Sequence, residues 1–212
     1  GEYGFFVPFS RNLTVIRGNN SSGKSTLFNS LLYALGMEEL VGGKGERYLP
    51  YAVKENFDVG EDSVAVESSE VYLELENSKK EIRTIRRTIV DQNRSSKLVE
   101  ILEGQYLTSE IEKRVVKSTY LFDPGSAQRE EGFHNWLEKF IGLALPQVAS
   151  TTGGETKLYL QTIFAALAVE QKRGWSDYIT NIPFYAIRDA RTRVVEFLLN
   201  LNVFELNASK NR

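Results

Sequence analysis

The sequence predicts an α/β fold in which a phosphate-binding core stands beside an antiparallel sheet. Three observations predict it. Between Leu13 and Leu35 a short apolar run, a glycine-rich turn and a helically spaced apolar segment follow one another. Between Val71 and Val90 two apolar, partly alternating segments flank a polar turn, the pattern of a hairpin. Later in the chain, residues 129–142 and 188–202 carry apolar side chains at the spacing of amphipathic helices.

In chain order, residues 2–8 (EYGFFVP) predict a first strand stopped by Pro8, and residues 9–12 turn the chain. Leu13, Val15 and Ile16 form an apolar, β-branched run expected to be a short buried strand. Gly18, Gly23, Lys24 and Ser25 then satisfy G-x-x-x-x-G-K-[ST], the spacing of a phosphate-binding loop. Leu27, Leu31 and Leu35, with Phe28 and Leu32 beside them, predict the helix that follows, and Gly36 is placed to end it.

The chemistry explains the spacing. Gly18 is expected to let the chain turn off the strand, and Gly23 to let backbone approach a phosphate where a Cβ would clash. Successive loop N–H groups and the helix N-terminus form a donor array for phosphate oxygens. Lys24 supplies a point charge for the β- and γ-phosphates, and the Ser25 hydroxyl a ligand for Mg²⁺. Asn19, Asn20, Ser21 and Ser22 line the loop with short polar side chains, and Thr26 completes the set.

Beyond the first helix, residues 41–45 are a glycine-rich connection, and residues 61–70 are acidic with an edge strand expected around Val64 and Val66. Val71, Leu73 and Leu75 alternate with Tyr72, Glu74 and Glu76; residues 77–80 supply a turn; residues 82–90 return as a second strand and 98–102 add a third. Residues 110–118 are expected to be helical, with Asp123-Pro124-Gly125 as the break. Phe133, Trp136, Leu137, Phe140 and Ile141 mark the packing face of a helix, and His134, off that stripe, is expected at the surface. Residues 158–171 are an apolar run, expected to be a strand, that ends at Gln171.

The chain has 212 residues, 42% hydrophobic and 25% charged, the composition of a soluble globular protein. No apolar run reaches membrane-span length and the start lacks a signal-peptide layout. With no cysteine, disulfides and cysteine metal sites are excluded, which suits a reducing, cytoplasmic setting. A start at Gly1 and a sole methionine at Met37 suggest a piece of a longer protein. The net charge of −2 conceals an asymmetry: residues 79–97 carry +5 and the remainder −7. Arg83, Arg86 and Arg87 are therefore candidates for DNA contact, with a charged hairpin edge as the other explanation.

A phosphate-loop hydrolase also needs a second acidic site, usually an apolar strand ending in Asp. Residues 120–123 end in Asp123, but Pro124 follows where a glutamate is wanted, and Arg188 interrupts the run before Asp189. Thr151-Thr152-Gly153-Gly154-Glu155 is superficially like the L-S-G-G-[QE] signature of ABC ATPases, and a hairpin turn explains it as well. Neither D-x-x-G nor N-K-x-D occurs, which argues against a GTPase.

The stretch FFVPFSRNLTVIRGNNSSGKSTLFNSLLYALG resembles the opening of SMC-type and SbcC-type ATPase heads, whose loop reads G-x-N-G-S-G-K-S-T before a helix ending near Y-A-L-G. It departs where Ser21 stands for the usual glycine. The resemblance implies a P-loop NTPase of the ABC type: residues 1–187 as an N-terminal head lobe and 188–212 as an exit helix opening a coiled-coil arm. It implies ATP and Mg²⁺ as ligands, Lys24 and Gln171 as catalytic-site residues, and Ser25 and Gln171 at the metal. Gln161 is a lesser candidate for the glutamine. The signature motif and the Asp–Glu pair are implied to lie in a C-terminal lobe, with head-to-head dimerisation on ATP and action on DNA. A self-contained phosphotransferase and a non-hydrolysing nucleotide sensor are the other function classes.

Overall fold

The computed structural model describes residues 2–109, 112, 114–123, 129–169 and 182–201. Its first regular element is the helix α1 (Lys24–Ala34), which begins directly after Gly23. α1 ends in a Schellman turn: the Gly36 N–H donates to the Tyr33 carbonyl and the Met37 N–H to that of Leu32. Gly36 has φ 65°, and a Cβ there would sit 2.5 Å from Leu121 and 2.8 Å from the His134 ring. Only glycine fits, for conformation and for space.

Three single 3₁₀ turns (Glu38–Val41, Gly45–Tyr48, Tyr51–Val53) carry the chain to a small hairpin, β1 (Asn56–Val59) and β2 (Asp62–Ala65). An antiparallel meander follows: β3 (Ser69–Glu76), β4 (Ile82–Val90), β5 (Leu98–Glu103) and β6 (Val115–Tyr120), paired in that order. The β3–β4 turn is held by Asn77, whose Oδ1 accepts from the N–H groups of Lys79 and Glu81 at 2.9 and 3.0 Å. Register places Leu73 opposite Ile85 and Ile85 opposite Ile101, so one face of the sheet is apolar.

That face is covered. Ile85 and Val99 share a core with Leu32 and Met37, from α1 and the turn after it, and with Phe133 and Leu137 of the helix α2 (Phe133–Ile141). Next come the short hairpin β7 (Gln147–Ala149) and β8 (Glu155–Lys157), then α3 (Leu160–Leu167) and α4 (Ala190–Leu198). Val148, Leu158, Ile163, Ala166, Ile187 and Val194 bind these pieces into a second cluster.

Several sequence expectations are corrected. Residues 2–8 and 13–16 are not strands: none of their backbone groups has a ladder partner among the described residues, and Leu13 and Val15 are each 77% exposed. A strand exists only where a neighbour accepts its hydrogen bonds. Residues 115–118 are strand, not helix, because Val115, Val116 and their neighbours complete the sheet on β5, and tertiary pairing overrides local propensity. Within 158–171, residues 160–167 are helix: Leu160, Ile163, Phe164 and Leu167 fall at i, i+3, i+4 and i+7, and alanines fill the spaces. His134 is buried, not at the surface. By contrast β3, β4 and β5, the C-terminal end of α2 and a hairpin across Gly153-Gly154 lie where the sequence placed them, while α2 starts at Phe133, four residues later than expected.

Candidate functional site: the phosphate loop

Gly18 to Ser25 are all exposed. Ser21 (φ 62°) and Gly23 (φ 87°) take left-handed backbone, the alternation that turns successive N–H groups toward one concavity. The first helical hydrogen bond of α1 runs from the Leu27 N–H to the Gly23 carbonyl at 2.9 Å. The N–H groups of Lys24, Ser25 and Thr26 therefore lack intrahelical acceptors, and the positive end of the helix dipole faces the loop. Residues 17–37 contain no acidic side chain. Amides, hydroxyls and one ammonium make a donor set suited to an anion such as a phosphate group.

Lys24 folds back over the loop. Its Nζ donates to the carbonyls of Gly18 at 2.7 Å and Asn19 at 2.6 Å. The Asn19 carbonyl also accepts from the Ser22 hydroxyl at 2.7 Å and, at 3.3 Å, from the Ser22 N–H. Gly18 does not have left-handed backbone; a Cβ on it would lie 2.5 Å from Ser22 Oγ. It is not a sharp turn that favours glycine there but the room it leaves for Ser22 Oγ on the Asn19 carbonyl. Ser21 occupies the left-handed conformation that glycine would take without strain.

The far end of α1 is anchored by residues whose role the sequence did not reveal. Arg87, on β4, makes a bidentate pair with Glu38 (2.8 and 3.2 Å), donates to the Tyr33 carbonyl at 2.5 Å and from Nε to the Ser96 carbonyl at 2.7 Å, and lies over the Tyr33 ring. Both charged side chains are fully buried. Burial raises the Glu38 carboxyl above its ordinary range against the pull of Arg87, and pushes the Tyr33 hydroxyl up to about 12. His134 Nε2 lies 3.2 Å from the Leu35 carbonyl, while its Nδ1 lies 2.8 Å from Gln161 Nε2. Burial lowers the imidazole from 6.5 to about 4, so it is neutral, donating from Nε2 and accepting at Nδ1. Apart from the Arg87–Ser96 contact, nine residues apart, the partners of Arg87 and His134 are 27 to 99 residues away, beyond any local pattern.

The remaining sequence candidates are dispersed. Gln171 and Pro124 lie outside the described residues. Gln161 is buried against His134. Asp123 is paired with Lys97 at 3.4 Å. Asp189 lies at the start of α4, beside a cavity of about 490 Å³ whose described walls, Phe184, Tyr185 and Ile187 among them, include no residue of the phosphate loop. Thr151–Gly154 lie in the β7–β8 turn and Glu155 opens β8. Of the three DNA candidates, Arg87 is buried and Arg86 is held by Glu70 (2.5 Å) and Glu100 (2.7 Å), so the charge excess of residues 79–97 is largely neutralised within the fold. Arg83 makes no ion pair among the described residues.

Residues 5–139 match the family model described as an AAA domain, a stretch that holds the phosphate loop, α1, the four-stranded sheet and most of α2. No curated protein and no solved structure matches the chain.

Proposed function

We propose, from the premise that this chain belongs to the AAA-domain family of P-loop ATPases, that it is the ATP- and magnesium-binding lobe of an SMC-like, ABC-type ATPase head. The observation that carries the reading is the loop geometry: free N–H groups, an ammonium and a hydroxyl converge at the start of α1 with no carboxylate paired to Lys24. Lys24 would exchange the Gly18 and Asn19 carbonyls for β- and γ-phosphate oxygens. Loop and first-turn amides would hold the phosphates, and Ser25 the magnesium. Magnesium, when bound, neutralises charge between those phosphate groups. Gln171 is retained as the second metal-site residue on the resemblance alone.

The acids for hydrolysis are assigned to a C-terminal lobe. Support comes from the N-terminal segment, where Tyr3, Phe5, Phe6, Phe9, Leu13, Val15 and Ile16 are all exposed. Seven large apolar side chains within 14 residues form the kind of surface that another polypeptide covers. ATP-dependent pairing of two heads and action on DNA complete the reading. Any DNA contact by this lobe is assigned to Lys79 and Arg83, the basic residues of the hairpin without an acidic partner among the described residues.

Titration of the purified chain with ATP and magnesium tests the reading. Saturable binding that Lys24→Ala removes is expected, with negligible turnover. Steady hydrolysis by the chain alone, abolished by the same substitution, would show a self-contained enzyme instead.

A further inference from the structure

We propose that Ser22 is a positioning residue of the phosphate loop, and that its hydroxyl is the reason residue 18 is glycine. This rests on the nucleotide-binding reading above. Three donors meet at the Asn19 carbonyl: the Ser22 hydroxyl at 2.7 Å, the Ser22 N–H at 3.3 Å and the Lys24 ammonium at 2.6 Å. A carbonyl has two good acceptor directions, so one donor is in excess. The excess donor is Lys24, which also has the Gly18 carbonyl at 2.7 Å and must leave both to reach a phosphate. When it leaves, the Ser22 hydroxyl keeps the Asn19 carbonyl paired and the turn closed. Without that hydroxyl, only a long amide contact would remain, and binding would have to order a looser loop.

The hydroxyl occupies space as it does this. A Cβ at residue 18 would meet Ser22 Oγ at 2.5 Å, whereas the next neighbour, Ser22 Cβ, is at 3.4 Å. A Cβ at residue 18 would drive Oγ off the Asn19 carbonyl, whereas with Oγ removed the remaining contact is an ordinary one. Gly18 and Ser22 form a matched pair whose substitutions must be non-additive. Ser21 has no such link: it is exposed and makes no side-chain hydrogen bond among the described residues.

The experiment is a double-mutant cycle on the affinity for ATP with magnesium, measured by calorimetry. Ser22→Ala is expected to weaken binding about 3- to 10-fold, the loss of one hydrogen bond, and Ser22→Thr, which keeps the hydroxyl, to recover most of it. Gly18→Ala is expected to weaken binding by more than tenfold. Gly18→Ala/Ser22→Ala is expected to bind better than Gly18→Ala alone. Denaturation midpoints should be the same for all four variants as for the parent chain, because both residues are exposed; a fall that tracks the affinity loss would assign Ser22 a merely structural role and overturn the proposal. Additive effects, or a Ser22→Ala variant that binds like the parent, would also overturn it and leave nucleotide binding intact. A parent chain that fails to bind ATP would remove the underlying reading itself.

Discussion

The imidazole of His134 bridges α1 and α3, and its neutrality is a condition of the packing. Its Nε2–H serves the Leu35 carbonyl at the end of α1, and its Nδ1 accepts from Gln161. Burial holds its pKa at about 4, against 6.5 for the unhindered group. For a base with a lowered folded pKa, the stabilising contribution is complete above pH 6.5 and disappears as pH falls toward 4. A difference of that size corresponds to about 3 kcal/mol. We expect urea unfolding of the parent chain to lose this amount, relative to His134→Gln, between pH 6.5 and 4. Parallel pH profiles for the two would contradict it. The residue was misjudged from sequence for a definite reason. Phe133, Trp136, Leu137, Phe140 and Ile141 mark one stripe of α2, and nothing within α2 reveals that α3 covers a second side. The loop residues fared better, because Gly18, Gly23, Lys24 and Ser25 carry their spacing in a local pattern.

Strand β4 shows how far alternation alone carries a reading and where it stops. Its limits, its pairing with β3 and its apolar face were all legible, since Ile85 and its cross-strand partners alternate with polar residues. Its arginines were not. Arg86 belongs to a cross-strand ladder with Glu70 and Glu100, whereas Arg87 points into the core to meet Glu38. Charge counted along a sequence carries no information about which face buries it. The buried pair joins β4 to the turn after α1 and so fixes the element that presents the phosphate loop. Removing one partner strands the other: Arg87→Met is expected to cost about 3–5 kcal/mol, measured by chemical denaturation. With Arg87 gone, burial of Glu38 is opposed only by backbone N–H donors such as that of Gly45, so Glu38 takes up a proton more readily and the loss should shrink as pH falls. Arg87→Met/Glu38→Leu should recover most of the stability. A double variant no better than the single one would show that the hydrogen bonds to Tyr33 and Ser96, not the ion pair, matter most.

At the scale of the whole molecule, three apolar clusters among the described residues coexist with an N-terminal stretch that packs poorly. Sequence pattern gave residues 2–8 and 13–16 a strand's composition, and correctly so as composition; a ladder needs a neighbour, and the described residues supply none. The segment makes limited contacts, such as Tyr3 against Phe57 at 4.9 Å and Arg11 near Glu76 at 3.8 Å. Apolar side chains left in water contribute little to the fold that carries them. Leu13→Ser/Val15→Ser is therefore expected to change the unfolding free energy of this chain by no more than about 0.5 kcal/mol. Amide exchange sharpens the point. The N–H groups of residues 2–7, 9 and 13–17 should exchange near the unprotected rate while those of β4 and β5 exchange only on global opening. If a second polypeptide completes the head, adding it should slow exchange in those segments of the parent and not in the double serine variant. Strong protection of the segment in the isolated chain, or a loss of several kcal/mol in the variant, would mean that these residues already have a partner. The surface assigned to the second lobe would then have to lie elsewhere.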